Sequence, residues 1–471
     1  MKKLLPLVAA MALASQAAYA DIINNKATTT QDGSGNTAST MQSNAVNSEA
    51  TITQTGDDNQ SEVSQIDSTR AFATVSTIGN GNIANIKQNA TAHVDASITQ
   101  DGVRNKAYID QKTNTDQSEA IVTQTGDRNK ATILQKFHTG GATASISQLD
   151  SLDAVAFIYQ KDADSSNATI SQSNFVGYSE NGARITQENG NTLNATIDQE
   201  STVDDTALIY QTGDNQTANI HQKNFNVRGN TSITQTGAAN LATIDQTWSG
   251  GSTAAVIQAG NDNIAGIDQY NSDDSFADIN QDGSLQNAKI TQKNAPGVGA
   301  GKGNDADIIQ TGSNNESAIV QDGYLNAAMV TQGDTGNKAD VDQTGNGNEA
   351  TVNQTGSGQV ADVDQVGESH KANVTQAGAS QVANITQSDA SNLSDIDQSA
   401  TGNLADIAQS GEFNEADIDQ TGSYNQAFIV QSGMGMLGSL NSAIISQTAS
   451  NDYASISQMN GAGNSATITQ Q

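Results

Sequence analysis

Aspartates two residues apart recur along the chain: Asp340 and Asp342, Asp362 and Asp364, Asp395 and Asp397, Asp417 and Asp419. Carboxylates at alternate positions of an extended strand project to one side. Stacked in successive repeats, they form a track that could supply the several oxygens a hard cation such as calcium requires. Asp340, Asp342, Asp362 and Asp364 are therefore the metal candidates, and no other metal or cofactor is expected. The competing reading is gatekeeping, in which stacked like charge keeps the chain soluble and slows its association; that reading is preferred. The glycine-aspartate nonapeptide of calcium-binding β-rolls is absent. A repeated carboxylate pair is also the wrong pattern for a glycosidase, whose acid and nucleophile share one unique cleft. The four histidines, His93, His138, His221 and His370, fall in distant repeats without metal-site or triad spacing. No catalytic residue is expected, and the chain reads as a non-enzyme.

The elements that position these side chains are set by a ruler. Glutamines stand eleven residues apart at Gln310, Gln321, Gln332, Gln343, Gln354, Gln365, Gln376, Gln387, Gln398, Gln409, Gln420 and Gln431. Around them recurs the phrase N-x-A-x-[IV]-x-Q-x-G, as in Asn348, Ala350, Val352, Gln354 and Gly356. Asn, Ala, Ile or Val, and Gln alternate with Thr, Asp, Ser and Asn, which is the period of a strand with one inward face. Gly and Asn after each Gln predict a turn. Each arc is expected to spend about seven residues on a strand and about four on a corner.

Extending the ruler outward from Gln31 to Gln470 gives about 38 marks, one of them substituted by Thr77. Early intervals alternate between eleven and twelve or thirteen, so two arcs make one coil. The predicted architecture is all-β: a β-solenoid of about 19 coils, roughly 90 Å long at the strand spacing. Between Gln135 and Gln235 the alternation changes parity and leaves the pairing of arcs open. Loop insertions are expected near residues 173–186, 293–309 and 432–446, where the intervals widen.

Only 35% of the 471 residues are apolar, 4% are aromatic, and the net charge is −31, a composition that ordinarily reads as disorder. The strict period overrides that reading, because a thin solenoid needs only one narrow apolar seam per coil. Residues 1–20 are expected to be a cleaved export signal: Lys2 and Lys3, the apolar run Leu4 to Leu13, then Ala18-Tyr19-Ala20. Residues 21–471 form the repeat domain. The chain has no cysteine, so no disulfide is available. Nothing after residue 20 is apolar for long enough to predict a transmembrane segment. So acidic a chain should be repelled by nucleic acid.

Inward Gln and Asn would be costly to bury singly, but stacked one per coil they can satisfy each other as amide ladders. Asn326, Asn337, Asn348, Asn414 and Asn425 join the twelve ruler glutamines as the expected ladder residues. Repeats begin at Asn25 and run to Gln470, so neither end of the solenoid shows an atypical capping segment. Head-to-tail stacking into a cross-β fibre is the expectation, with the chain itself as partner.

The phrase Q-x-G-x-x-N-x-A-x-x-x-Q, standing as Gln31, Gly33, Asn36, Ala38 and Gln42 and again from Gln100 to Gln111, Gln124 to Gln135, Gln235 to Gln246 and Gln258 to Gln269, resembles the curlin repeat of curli fibre subunits. The resemblance covers nearly all of residues 21–471. It implies a functional amyloid of a Gram-negative biofilm matrix, secreted through an outer-membrane pore, nucleated at the cell surface, and supporting adhesion. The chain is much longer than family members of about five repeats, and almost no targeting stretch precedes its repeats. The alternative expectation is a nonpolymerising extracellular adhesin that binds ligands through loops containing Phe175 to Tyr178 and Met434 to Leu437.

Overall fold

The computed structural model describes residues 24–113, 115–177, 182–293, 303–435 and 439–471. The expected export signal at 1–20 lies outside the described residues, as do Tyr178, Met436 and Leu437 and most of the excess near 293–309. The described chain is all-β. Thirty-eight strands run from Lys26–Asp32 to Ser465–Gln470, and every ruler mark, Thr77 included, falls on a strand of its own. The strands alternate between two parallel sheets of 19. Sheet A holds Lys26–Asp32 and every second strand after it, and sheet B holds Thr37–Ser43 and every second strand after that. Each strand pairs with the one two places before and two places after, so one coil is one strand of each sheet.

Register follows the ruler. Ala350 pairs with Ala372, Val352 with Val374 and Gln354 with Gln376. Slipping by one residue would turn the Ala, Val and Gln rows outward, so the alternating pattern pins the pairing. Rows of Ala and of Ile or Val from the two sheets meet in a continuous dry seam from Ala50 to Ile456. Burying one such Ile or Val contributes about 1.5–3 kcal/mol, and the narrow Ala rows let the sheets close without wider side chains.

The corners are tighter than the sequence suggests. Most strands of the regular block are nine residues long, as in Lys338–Asn346, Glu349–Ser357 and Val360–Glu368, leaving two residues at the corners between them where four are expected. The glycine after each Gln does not turn the chain; it bends inside the ladder. Gly356 has φ 114°, and a Cβ there would lie 1.9 Å from the Gly378 carbonyl oxygen one coil on. The turn itself is made two residues later by a left-handed residue such as Gly358 or Ser380.

Pairing continues unbroken through the parity change. A column of bridges at the longer corner links Val46, Thr69, Ala92 and Asp116 on the way from sheet B to sheet A. In later coils the column Leu152, Val176, Val203 and Val227 stands at the opposite corner, on the way from A to B. The longer corner therefore changes sides of the pillar while the Ala, Ile and Gln rows stay in register; among the described strands the ladder slips by one residue only past Gln148, where Ser151 pairs with Gly126. Phe175, an expected loop residue of the adhesin alternative, is 1% exposed and fills the core of this corner.

Candidate assembly edges and the ladders leading to them

Most ruler glutamines make two kinds of bond. The Gln354 amide nitrogen donates to Gln376 Oε1 at 2.8 Å and to the Lys338 carbonyl at 2.9 Å. The first bond runs along the pillar axis, and the second crosses the seam to the facing sheet. In sheet B the axial ladder runs through Gln310, Gln332, Gln354, Gln376, Gln398 and Gln420. In sheet A it runs through Gln321, Gln343, Gln365, Gln387, Gln409 and Gln431. The sequence period points to the axial bond. The staple to a carbonyl usually 16 residues earlier needs the antiparallel facing of the two arcs, which no single repeat displays.

Asparagines do the same work at the corners. Asn348 donates to the Thr344 carbonyl at 3.4 Å and the Gly367 carbonyl at 3.2 Å, and its Oδ1 accepts the His370 backbone N–H at 3.0 Å. Asn326 and Asn414 occupy the same column. Asn337 and Asn425 stand in the column at the other corner. His370 substitutes for Asn in the first column. It is 1% exposed, its Nε2 lies 3.2 Å from the Val366 carbonyl, and its Nδ1 accepts the Asn392 N–H at 3.3 Å. That pattern requires the neutral ring with the proton on Nε2, and burial pushes its pKa down from 6.5. Asp205 is a second exception. It is fully buried, one oxygen accepts the Gly229 N–H at 2.7 Å, and burial raises its carboxyl to about 7.

These ladders have a direction. Every Gln–Gln bond runs from the amide nitrogen of one coil to the amide oxygen of the next, beginning with Gln31 to Gln54 and Gln42 to Gln65, both at 2.7 Å. The first described coil thus turns its amide oxygens outward. The last receives bonds at Gln458 and Gln470 and turns amide nitrogens outward. Backbone edges are open as well. Among the described residues Lys26–Asp32 and Thr37–Ser43 pair on one side only, as do Tyr453–Met459 and Ser465–Gln470. All seven residues of Lys26–Asp32 are exposed. The two ends differ in one row: Thr29 and Thr40 stand where later coils carry Ile52 and Val63, whereas Ile456 and Ile468 keep the apolar side chain.

The paired aspartates lie outward. Asp340 stacks on Asp362 and Asp342 on Asp364 in sheet A, while Asp395 stacks on Asp417 and Asp397 on Asp419 in sheet B. Partial burial, then the neighbouring carboxylates, push Asp342 and Asp395 up to about 6. Among the described residues no three His, Asp or Glu side chains converge to hold a metal. His93, His138 and His221 each meet an aspartate on the next coil, Asp116 at 3.1 Å, Asp162 at 3.3 Å and Asp245 at 2.5 Å. Such pairs are invisible to local spacing because a whole coil separates the partners.

Eight segments of the chain match the curlin associated repeat: residues 95–126, 301–333, 326–356, 335–367, 345–378, 390–421, 411–435 and 438–471. No curated protein is a significant match to the chain. Among the described residues no helix is long and apolar enough to cross a membrane.

Proposed function

The chain belongs to the curlin-repeat family, whose repeats build a structural protein, and from that premise we propose that it is a secreted fibre subunit that stacks end to end into an extracellular, curli-like cross-β polymer of the biofilm matrix. One observation carries the reading: among the described residues, the unpaired edges of the first and last coils are complementary. Bare strands meet bare strands, and outward amide nitrogens at Gln458 and Gln470 meet outward amide oxygens at Gln31 and Gln42. A second copy placed head to tail extends both sheets and both glutamine ladders without a break in polarity. A head-to-head contact would face acceptor with acceptor.

Ile456 and Ile468 would then pack beneath Thr29 and Thr40. Threonine at the leading coil lowers the apolar surface offered by an unpolymerised subunit. Export through an outer-membrane pore, nucleation at the surface of a Gram-negative cell and support of adhesion belong to the same proposal; the family assignment supports them.

The test is a time course of light scattering and thioflavin T fluorescence on purified residues 21–471, with and without sonicated seeds. Fibrils after a lag that seeds abolish are expected. A chain that stays monomeric and dye-negative at concentrations where seeds are present would overturn the reading.

A further inference from the structure

Positive charge is rare in this chain and unevenly placed. On the outward face of sheet B, Lys112, Lys136 and Lys161 stack in register on three successive coils, and Lys106 stacks on Lys130. Lys136 Nζ lies 5.7 Å from the Tyr159 ring, and the Arg184 guanidinium lies 5.0 Å from the Phe157 ring. Lys106, Lys130 and Lys161 form no ion pair with any described residue. Sheet A over the same coils, from Phe72–Asn80 to Asn167–Ser173, contains no lysine or arginine at all.

The second half of sheet B carries the opposite sign. Asp278 stacks on Asp307, and Asp395 and Asp397 stack on Asp417 and Asp419. Between the two charged zones Asn230–Ala238 and Thr253–Asn261 carry no charge, and Ile257, 48% exposed, and Phe276, 54% exposed, stand outward near the middle of the sheet. Each zone is costly alone, because like charges on adjacent strands repel. The cost falls if the cationic zone of one molecule meets the acidic zone of another.

We propose that the outward face of sheet B is a lateral interface between two copies of this chain, related by a two-fold axis and running antiparallel. With the axis between Thr253–Asn261 and Phe276–Ser284, Lys106–Lys112 of each copy faces Asn414–Gln420 of the other and Lys130–Lys136 faces Leu393–Thr401, so two lysine strands meet the two aspartate strands while Lys161 comes opposite Lys371–Ala379, and both sets of contacts form at once. Ile257 and Phe276 meet their counterparts near the axis. Both charge rows repeat once per strand spacing, so two lysine strands and two aspartate strands match in pitch as well as in sign. A parallel, unstaggered neighbour would place lysine on lysine. The interface lies along the pillar rather than at its ends, so it stands independently of end-to-end growth.

Freshly purified soluble chain should sediment as a dimer at low ionic strength and dissociate at least tenfold more readily at about 0.5 M NaCl. The reversal Lys112→Glu/Lys136→Glu/Lys161→Glu should give monomers, and so should Asp395→Lys/Asp397→Lys/Asp417→Lys/Asp419→Lys, each with wild-type circular dichroism. Mixing the two variants should restore a dimer containing one of each, since every contact between them is again complementary. Because the chain has no cysteine, a single Phe276→Cys should be joined to its counterpart in the dimer by a short bis-maleimide cross-linker that spans the sheet-to-sheet distance of about 10 Å. Dimers indifferent to reversal, or no heterodimer on mixing, overturn the proposal. So does a cationic zone that binds inorganic polyphosphate while the chain stays monomeric at every salt concentration. Seeded fibril growth is read separately, so failure of end-to-end assembly and failure of this interface give different results.

Discussion

The coils from Asp305 to Ser432 and those from Leu152 to Ser275 share a seam but not their corners. In the first region one corner column reads Asn326, Asn348, His370, Asn392 and Asn414, a nearly continuous ladder. In the second the same column reads Ala154, Gly182, Asp205, Gly229, Ser252 and Ser275, and the amide ladder is gone. The glutamine ladder crosses both regions: Gln160 still donates to Gln187 at 2.9 Å and Gln172 to Gln199 at 2.8 Å, although each pair is 27 residues apart. Insertions and side changes are thus absorbed at the corners, and the seam is the part that holds every coil.

If that is right, the largest loss should come from cutting the seam. Gln365→Leu leaves the Gln343 amide nitrogen, the Gln387 amide oxygen and the Glu349 carbonyl without their partner. At about 1–3 kcal/mol for each buried group left unsatisfied, less what the apolar leucine recovers, the expected cost is roughly 3–5 kcal/mol. Asn403→Ala, a corner cut in the same block, should cost about 1–2 kcal/mol. Urea unfolding of the soluble chain, followed by circular dichroism, ranks the two. Equal losses would contradict the division between seam and corner.

The broken corner should also respond to pH. Asp205 has a folded pKa raised to about 7 from 3.8, so the native state holds a proton that the unfolded state has released. Its contribution is complete below about pH 4 and is lost as pH rises through about 7. The ceiling for a three-unit shift is about 4 kcal/mol. Asp205→Asn should flatten that slope and stabilise the chain at pH 8 by about 2–3 kcal/mol. A variant with the wild-type slope would show that Asp205 is ionised in the fold.

The seam was legible in the sequence because it is strictly local: Ala, Ile or Val, and Gln at alternate positions define a strand, and their period defines its neighbour. Thirty-eight marks and nineteen coils follow from counting alone. What escaped depends on partners a coil away. The His221–Asp245 pair, the staple from Gln354 to the Lys338 carbonyl and the cationic zone of sheet B all join residues that only the winding brings together. Corner length was misjudged for a local reason. The glycine of the repeat reads as a turn, yet Gly356 is required by the close approach of the next backbone.

His370 sharpens the comparison with the opposite sign. Its folded pKa lies below 6.5, so its stabilising contribution is present above that value and is lost as pH falls through it. The protonated ring cannot accept the Asn392 N–H. His370→Asn, which restores the column's usual amide, should remove acid sensitivity near pH 6 from this block and leave stability at pH 8 within about 1 kcal/mol of wild type. An unchanged acid limb in urea midpoints between pH 5 and pH 7 would locate that sensitivity elsewhere.

The last effect should be a gain, at the one ruler mark that is not glutamine. Thr77 stands where every other mark carries glutamine, between Gln54 and Gln100 in sheet A. Its hydroxyl is buried without a partner, and so is Gln100 Oε1. Gln54 turns its amide to Ser61 Oγ at 2.9 Å instead. Thr77→Gln would supply the missing donor to Gln100 and an acceptor to Gln54, and by the pattern of Gln100 donating to the Ile83 carbonyl it would staple to the Gln60 carbonyl. The column is glutamine on both sides, so the longer side chain enters a groove already shaped for it. About 1–2 kcal/mol of added stability is expected, read as a higher urea midpoint at unchanged slope. A loss would mean that the backbone around Thr77 has closed onto the smaller residue, and that the seam tolerates a local gap better than its unbroken run elsewhere implies.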